Sequence, residues 1–311
     1  VTLQQQINSN RLRSGMLVLS FGLFFVAIGA FIQYAYGGPF LIGLAVLAFV
    51  YAFISWFANG AMIGSWTGAR PVTKEEYPEL VRAVENASIG GGLEETPQVR
   101  VVDDPCPNAF AAGRDPKHSY VAVTTGLLGM MNKRELEAVV AHEVGHIRNR
   151  DVRLMSLAAV LVGVIALLAD ILLRLAFFSG GSRKQGSNPI LLIVGLAGLI
   201  IAPIAAVGIQ LALSRRRELL ADAGSAEITG DPEGLALALW KLEEDKTELR
   251  HANRATAHLY IETPLNNVSG VRGALSGLFA THPSLDARIE ALEQMGGFKL
   301  SALIGPQPTL G

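Results

Sequence analysis

The chain has 311 residues, 50% of them hydrophobic and only 17% charged, with a formal net charge of −1. An ordinary soluble domain carries about 25% charged residues, so the deficit points to a lipid bilayer, and the near-neutral balance gives no reason to expect nucleic acid as a partner. The single cysteine, Cys106, excludes an internal disulfide framework and any multi-cysteine zinc site.

A membrane span takes about 20 mostly apolar residues. The first candidate runs from about Ser14 to Gln33, and the second from about Phe40 to Phe57 after a tight turn at Gly38 and Pro39. The first is too rich in large apolar residues, and too soon followed by another span, to be a cleaved signal peptide. A mixed, water-exposed stretch follows. Glu75–Ala87 reads as an amphipathic helix with Tyr77, Leu80, Val81 and Val84 on one side, ended by the glycines at 90–92. Val99–Val102 and Ser119–Thr124 read as short strands and Asn108–Ala112 as a further one, with turns at Asp104-Pro105 and Asp115-Pro116. In "MNKRELEAVVAHEVGHIRNRD", Asn132 and Glu135 have the spacing of a capping box that opens a helix.

The third and fourth apolar runs span about Met155–Phe178 and Pro189–Leu213. Asp170 and Arg174 lie four apart inside the third, a spacing that lets them pair on one helix face. After the fourth run, helices are expected over Arg217–Ile228, from Pro232 to about Asp245, and over "THPSLDARIEALEQM". Residues 246–276 show no clear period. The expected organisation is a short cytoplasmic segment (1–13), a membrane hairpin (14–57), the first half of a catalytic domain (58–154), a second hairpin (155–213) and the second half of that domain (214–311). Three basic clusters border the spans: Arg11 with Arg13, Arg148 with Arg150 and Arg153, and Arg215–Arg217. Positive charge favours the cytoplasmic side, so all three are expected there, with Arg183 and Lys184 arguing mildly the other way. The chain is therefore expected in the plasma membrane, multi-pass, with these segments facing the cytoplasm.

The stretch "VVAHEVGHIRNRD" concentrates the chemistry. Residues four apart share a helix face, so His142 and His146 can direct imidazole nitrogens at one zinc ion about 2 Å away. Glu143 is rotated about 100° from His142, too far to complete that ligand set but near enough to act on a metal-bound water as general base. A catalytic zinc needs a third protein ligand and an open fourth position. "SRRRELLADAGSAE" offers Glu218 as that ligand, with Asp222 on the same face able to accept the second ring N–H of a histidine; a solvated acidic pair beside three arginines fits the same residues. The histidine helix leads into the third apolar run and the glutamate helix continues from the fourth. An antiparallel hairpin between those runs brings both motifs to one membrane side.

Together, "AHEVGHIRNRD", "SRRRELLAD", "NAFAAG" and "THPSLDARIEAL" resemble the HtpX family of membrane zinc metalloproteases, relatives of the CAAX prenyl proteases. The resemblance covers nearly the whole chain. It implies a mainly α membrane protein: four transmembrane helices plus a gluzincin-like α+β catalytic domain with a small sheet. It implies one Zn2+ per chain held by His142, His146 and Glu218, with Glu143 as base. It implies that the strand around Asn108, Ala109 and Phe110 is an edge beside which an extended peptide lies, and that His282 and Arg288 donate to the developing oxyanion. The implied function is a stress-response endopeptidase for damaged or misassembled membrane proteins. A processing protease for prenylated proteins and a non-catalytic membrane zinc scaffold are the alternatives.

Overall fold

 

The hydrophobic runs at the start of the chain form two long helices. The computed structural model describes residues 3–36, 40–161, 215–245, 247 and 284–304. α1 (Leu3–Tyr36) and α2 (Phe40–Thr67) pack side by side, with the Phe21 and Tyr51 rings 5.6 Å apart. Leu19, Leu23, Phe49 and Phe53 are exposed on this pair, an apolar surface that suits lipid better than water. Among the described residues, Ala45–Thr67 is the one helical stretch long and apolar enough to cross a membrane. α2 also runs on beyond Phe57, the end expected from hydrophobicity, because Ile63 is buried against the domain that follows. The third apolar run beyond residue 161, the fourth run, Asp170, Arg174, Arg183, Lys184 and His282 lie outside the described residues.

Among the described residues four strands form one sheet: β1 (Arg70–Pro71), β2 (Gln98–Val102), β3 (Ala109–Gly113) and β4 (Ser119–Thr124). Their order is β1-β2-β4-β3, with β2 parallel to β4 and the other pairs antiparallel. β3 is therefore an edge, as the resemblance implies. Alternation divides its neighbours between two cores. Val99, Val101, Ala109, Ala111, Val121 and Val123 face one cluster, which includes Leu80 and Val84 of α3 (Pro78–Gly90). Phe110, Ala112, Tyr120 and Ala122 face the other, with Ile63, Met155 and Ala159. Gly113 ends β3 at φ 144°, where a Cβ would stand 2.3 Å from the His118 carbonyl oxygen, so the turn into β4 requires glycine.

α3 starts three residues later than Glu75 because Pro78 takes the first helical turn, where its missing N–H costs nothing. α4 (Thr125–Met130) leads into α5 (Lys133–Arg148), whose capping box is formed: Asn132 accepts from the Glu135 N–H, and Glu135 from the Asn132 N–H. α5 ends at Asn149, and residues 151–161 are again helical. α6 (Arg215–Thr229), α7 (Pro232–Glu244), α8 (Leu285–Gly296) and the short α9 (Leu300–Ile304) complete the described elements. α5 lies between β3 and the α6–α7 pair, so residues of distant sequence meet along its buried face.

Candidate metal centre

α5 and α6 cross closely where Gly145 faces Ala221, and the Ser225 hydroxyl donates to the Ala138 carbonyl at 2.7 Å. That crossing brings His142, His146 and Glu218 together, each buried, with one candidate ligand atom apiece lying within 4.8 Å of one another. The two Nε2 atoms are 3.2 Å apart. The Glu218 oxygens lie 3.7 Å from each of them, Oε2 from His142 and Oε1 from His146.

The outer nitrogens meet carboxylates. His142 Nδ1 is 2.9 Å from Asp222 Oδ1, and His146 Nδ1 is 3.4 Å from Asp151 Oδ2. Arg288 binds Asp222 in turn, through Nε at 2.9 Å and Nη2 at 2.6 Å. Its Nη1 is 4.0 Å from Glu218 Oε2. Arg288 is fully buried on α8, which brings the last motif to the other two.

These residues fit a divalent cation. With both Nδ1 atoms turned to carboxylates, each Nε2 offers its lone pair to the same point. Two nitrogens about 2.0–2.1 Å from one tetrahedral ion stand about 3.3 Å apart, close to the observed spacing. Charge balance agrees. Among the described residues at this site, four buried carboxylates (Glu143, Asp151, Glu218 and Asp222) accompany two buried guanidiniums (Arg217 and Arg288), leaving two negative charges for a divalent ion when the imidazoles are neutral.

Without a metal, protons take part of that role. Burial alone would depress His142, but the hydrogen bond it donates to Asp222 and the nearby Glu218 carboxylate raise its pKa to about 9. Burial would depress His146 too, but the Glu218 charge and the Asp151 carboxylate together raise it. Burial pushes the Glu143 carboxyl up. Burial would do the same to Asp222, yet the Arg288 guanidinium beside it holds it below the usual carboxylate range.

The remaining expected residues are placed as follows. Glu143 is buried on α5 between the two histidines in sequence. Asn108 is buried just before β3; its N–H donates to the Thr124 hydroxyl at 2.8 Å and its side-chain oxygen accepts from the Ala109 N–H at 3.0 Å. Phe110 turns its ring into the core facing α2. The Gly113 N–H donates to the Ser156 hydroxyl at 3.0 Å. In an antiparallel ladder outward N–H groups alternate, so Ala111 is the central residue of β3 whose N–H points away from β4.

Sequence reasoning gives no role to Asp151 or Arg217. Five residues beyond His146 on a continuous helix is about 140° away, so spacing alone points Asp151 elsewhere. The helix break at Asn149 and Arg150 is the signal that places it, and it becomes visible only in three dimensions.

Comparison with known proteins gives the family. The model of peptidase family M48 matches residues 74–296. The Protease HtpX homolog of Dictyoglomus turgidum is 42% identical over 300 residues, covering 95% of each chain. That of Tropheryma whipplei is 41% identical over 281 residues, covering 90% of this chain and 93% of its own. Among solved structures, the crystal structure of S. mikatae Ste24p matches with a TM-score of 0.49 at 18% identity, covering 93% of this chain and 67% of that one.

Proposed function

The chain belongs to peptidase family M48 as an HtpX-type metalloprotease, and from that premise we propose that it is a membrane-embedded zinc endopeptidase cutting peptide bonds at the cytoplasmic face. Membership of a peptidase family sets aside the non-catalytic scaffold. The observation that carries the proposal is the convergence of His142, His146 and Glu218 within 4.8 Å.

In this reading zinc is held by those three residues, and when bound it supplies a Lewis acid that lowers the pKa of a water toward about 7. Glu143 takes the proton of the attacking water and delivers it to the leaving amine; its raised pKa suits a group that must both accept and release a proton near neutrality. Asp222 accepts from His142 Nδ1 and fixes its tautomer, while Arg288 keeps Asp222 ionised. An extended substrate pairs with β3 around Asn108, Ala109 and Phe110, with Ala111 as the main-chain partner at the open edge. His282 is the proposed oxyanion donor. Arg288, with Nε and Nη2 bound to Asp222, serves the oxyanion through its charge.

The basic clusters beside the expected spans, Arg11 with Arg13, Arg148 with Arg150 and Arg153, and Arg215–Arg217, support the cytoplasmic placement, and damaged or misassembled membrane proteins are the proposed substrates. Zinc content and proteolysis of an unfolded membrane protein, measured together on the parent and on Glu218→Ala, test the reading. One zinc and cleavage in the parent, with both lost in the variant, support it. Cleavage of a prenylated peptide alone turns it toward prenyl-protein processing.

A further inference from the structure

We propose that Asp151 is the positioning carboxylate of His146, brought there by the left-handed turn at Arg150 and balanced by the buried Arg217. The inference rests on the reading of His142, His146 and Glu218 as metal ligands.

α5 stops one turn after His146. Among the described residues Arg150 is the one non-glycine residue with positive φ, at 57°. A side chain rarely adopts that conformation, and such residues gather at functional sites. Here the turn reverses the direction in which the next residue points. Asp151 is fully buried, and its Oδ2 faces His146 Nδ1 at 3.4 Å instead of lying on the far side of the helix. His146 is thereby addressed at both nitrogens: Asp151 at Nδ1, the shared ligand centre at Nε2.

The arrangement repeats what α8 does for the other histidine. There Arg288 holds Asp222, and Asp222 holds His142. On the second side Arg217 Nη1 stands 3.9 Å from Asp151 Oδ1, and Asp151 faces His146. The Arg217 side-chain nitrogens are buried and make no hydrogen bond among the described residues, so Arg217 acts on the carboxylate as a charge and not as a donor. Arg217 also precedes Glu218 on α6, so one helix turn supplies both a ligand and the counter-charge of a ligand's partner. The unequal lengths, 2.9 Å for His142–Asp222 and 3.4 Å for His146–Asp151, rank the two supports.

The test uses the full chain in detergent and reads the zinc dissociation constant by chelator competition, beside the melting temperature of the metal-free protein. Removing a carboxylate behind a ligand histidine weakens metal binding by about 10- to 100-fold. Asp151→Asn is expected near the lower end, with metal-free folding retained, and Asp222→Asn near the upper, with a lowered metal-free melting temperature because Arg288 loses its buried partner. Asp151→Asn combined with Arg217→Met should weaken binding by less than the product of the single effects. An Asp151→Asn affinity within about twofold of the parent, while Glu218→Ala loses zinc, overturns the inference and leaves the ligand reading standing. Parent-like zinc binding by Glu218→Ala overturns both. Should the variants not fold, cobalt(II)-loaded parent protein gives the answer by NMR: a His146 Nδ1 proton held in a hydrogen bond and slow to exchange with water supports the inference, and one in fast exchange overturns it.

Discussion

Arg288 Nη2 and Asp222 Oδ1 stand 2.6 Å apart, joining α8 to α6 through an ion pair with no access to solvent. Removing one member of such a pair leaves a buried charge uncompensated, at a cost of about 3–5 kcal/mol. Arg288→Met should therefore lower stability by that order, and zinc affinity with it, because Asp222 no longer fixes His142. Denaturant unfolding and chelator competition on the same sample check both effects. A variant as stable as the parent contradicts the pairing.

Glu143→Gln keeps the shape of the side chain and removes its ability to take a proton. Zinc content should stay at the parent level while cleavage falls by about 10²- to 10⁴-fold. Unchanged proteolysis would remove Glu143 from the mechanism.

His142 sets the pH response. Its pKa is raised from 6.5 to about 9 in the metal-free site. A raised value means that the folded, metal-free protein holds this proton more tightly than the unfolded chain. That stabilisation is complete below pH 6.5 and is lost as pH rises through about 9. Zinc must displace the same proton, so its apparent affinity should rise across this window by about tenfold per pH unit for each proton released. Calorimetry in buffers of different ionisation enthalpy counts those protons. Affinity independent of pH between these limits would contradict the assignment.

Ala111→Pro removes one outward N–H from β3 and leaves the pairing with β4 intact. Zinc binding should persist while KM rises, because the substrate loses a main-chain partner. A KM equal to the parent's places the substrate elsewhere.

How much of this was legible in the sequence depends on how far apart the partners lie. His142, Glu143 and His146 could be read directly because helical spacing is local. The capping box at Asn132 and Glu135 was equally local, and it formed. Glu218 and Asp222 needed the resemblance, since an acidic pair beside three arginines has an equally plain solvated reading; burial to 5% and 1% exposure separates the two. Arg288 was expected to face an oxyanion, and its hold on Asp222 spans 66 residues that no periodicity connects. Asp151 escaped because the helix breaks between it and His146. The end of α2 escaped because hydrophobicity falls after Phe57, whereas burial of Ile63 against the sheet continues the helix.

Zinc-edge X-ray absorption of the purified full chain tests the central claim most directly. Two imidazole nitrogens and a carboxylate oxygen at about 2.0–2.2 Å, with the oxygen contribution lost in Glu218→Ala, are the predicted result. A spectrum that Glu218→Ala leaves unchanged, or one fitted by a single imidazole, would contradict it.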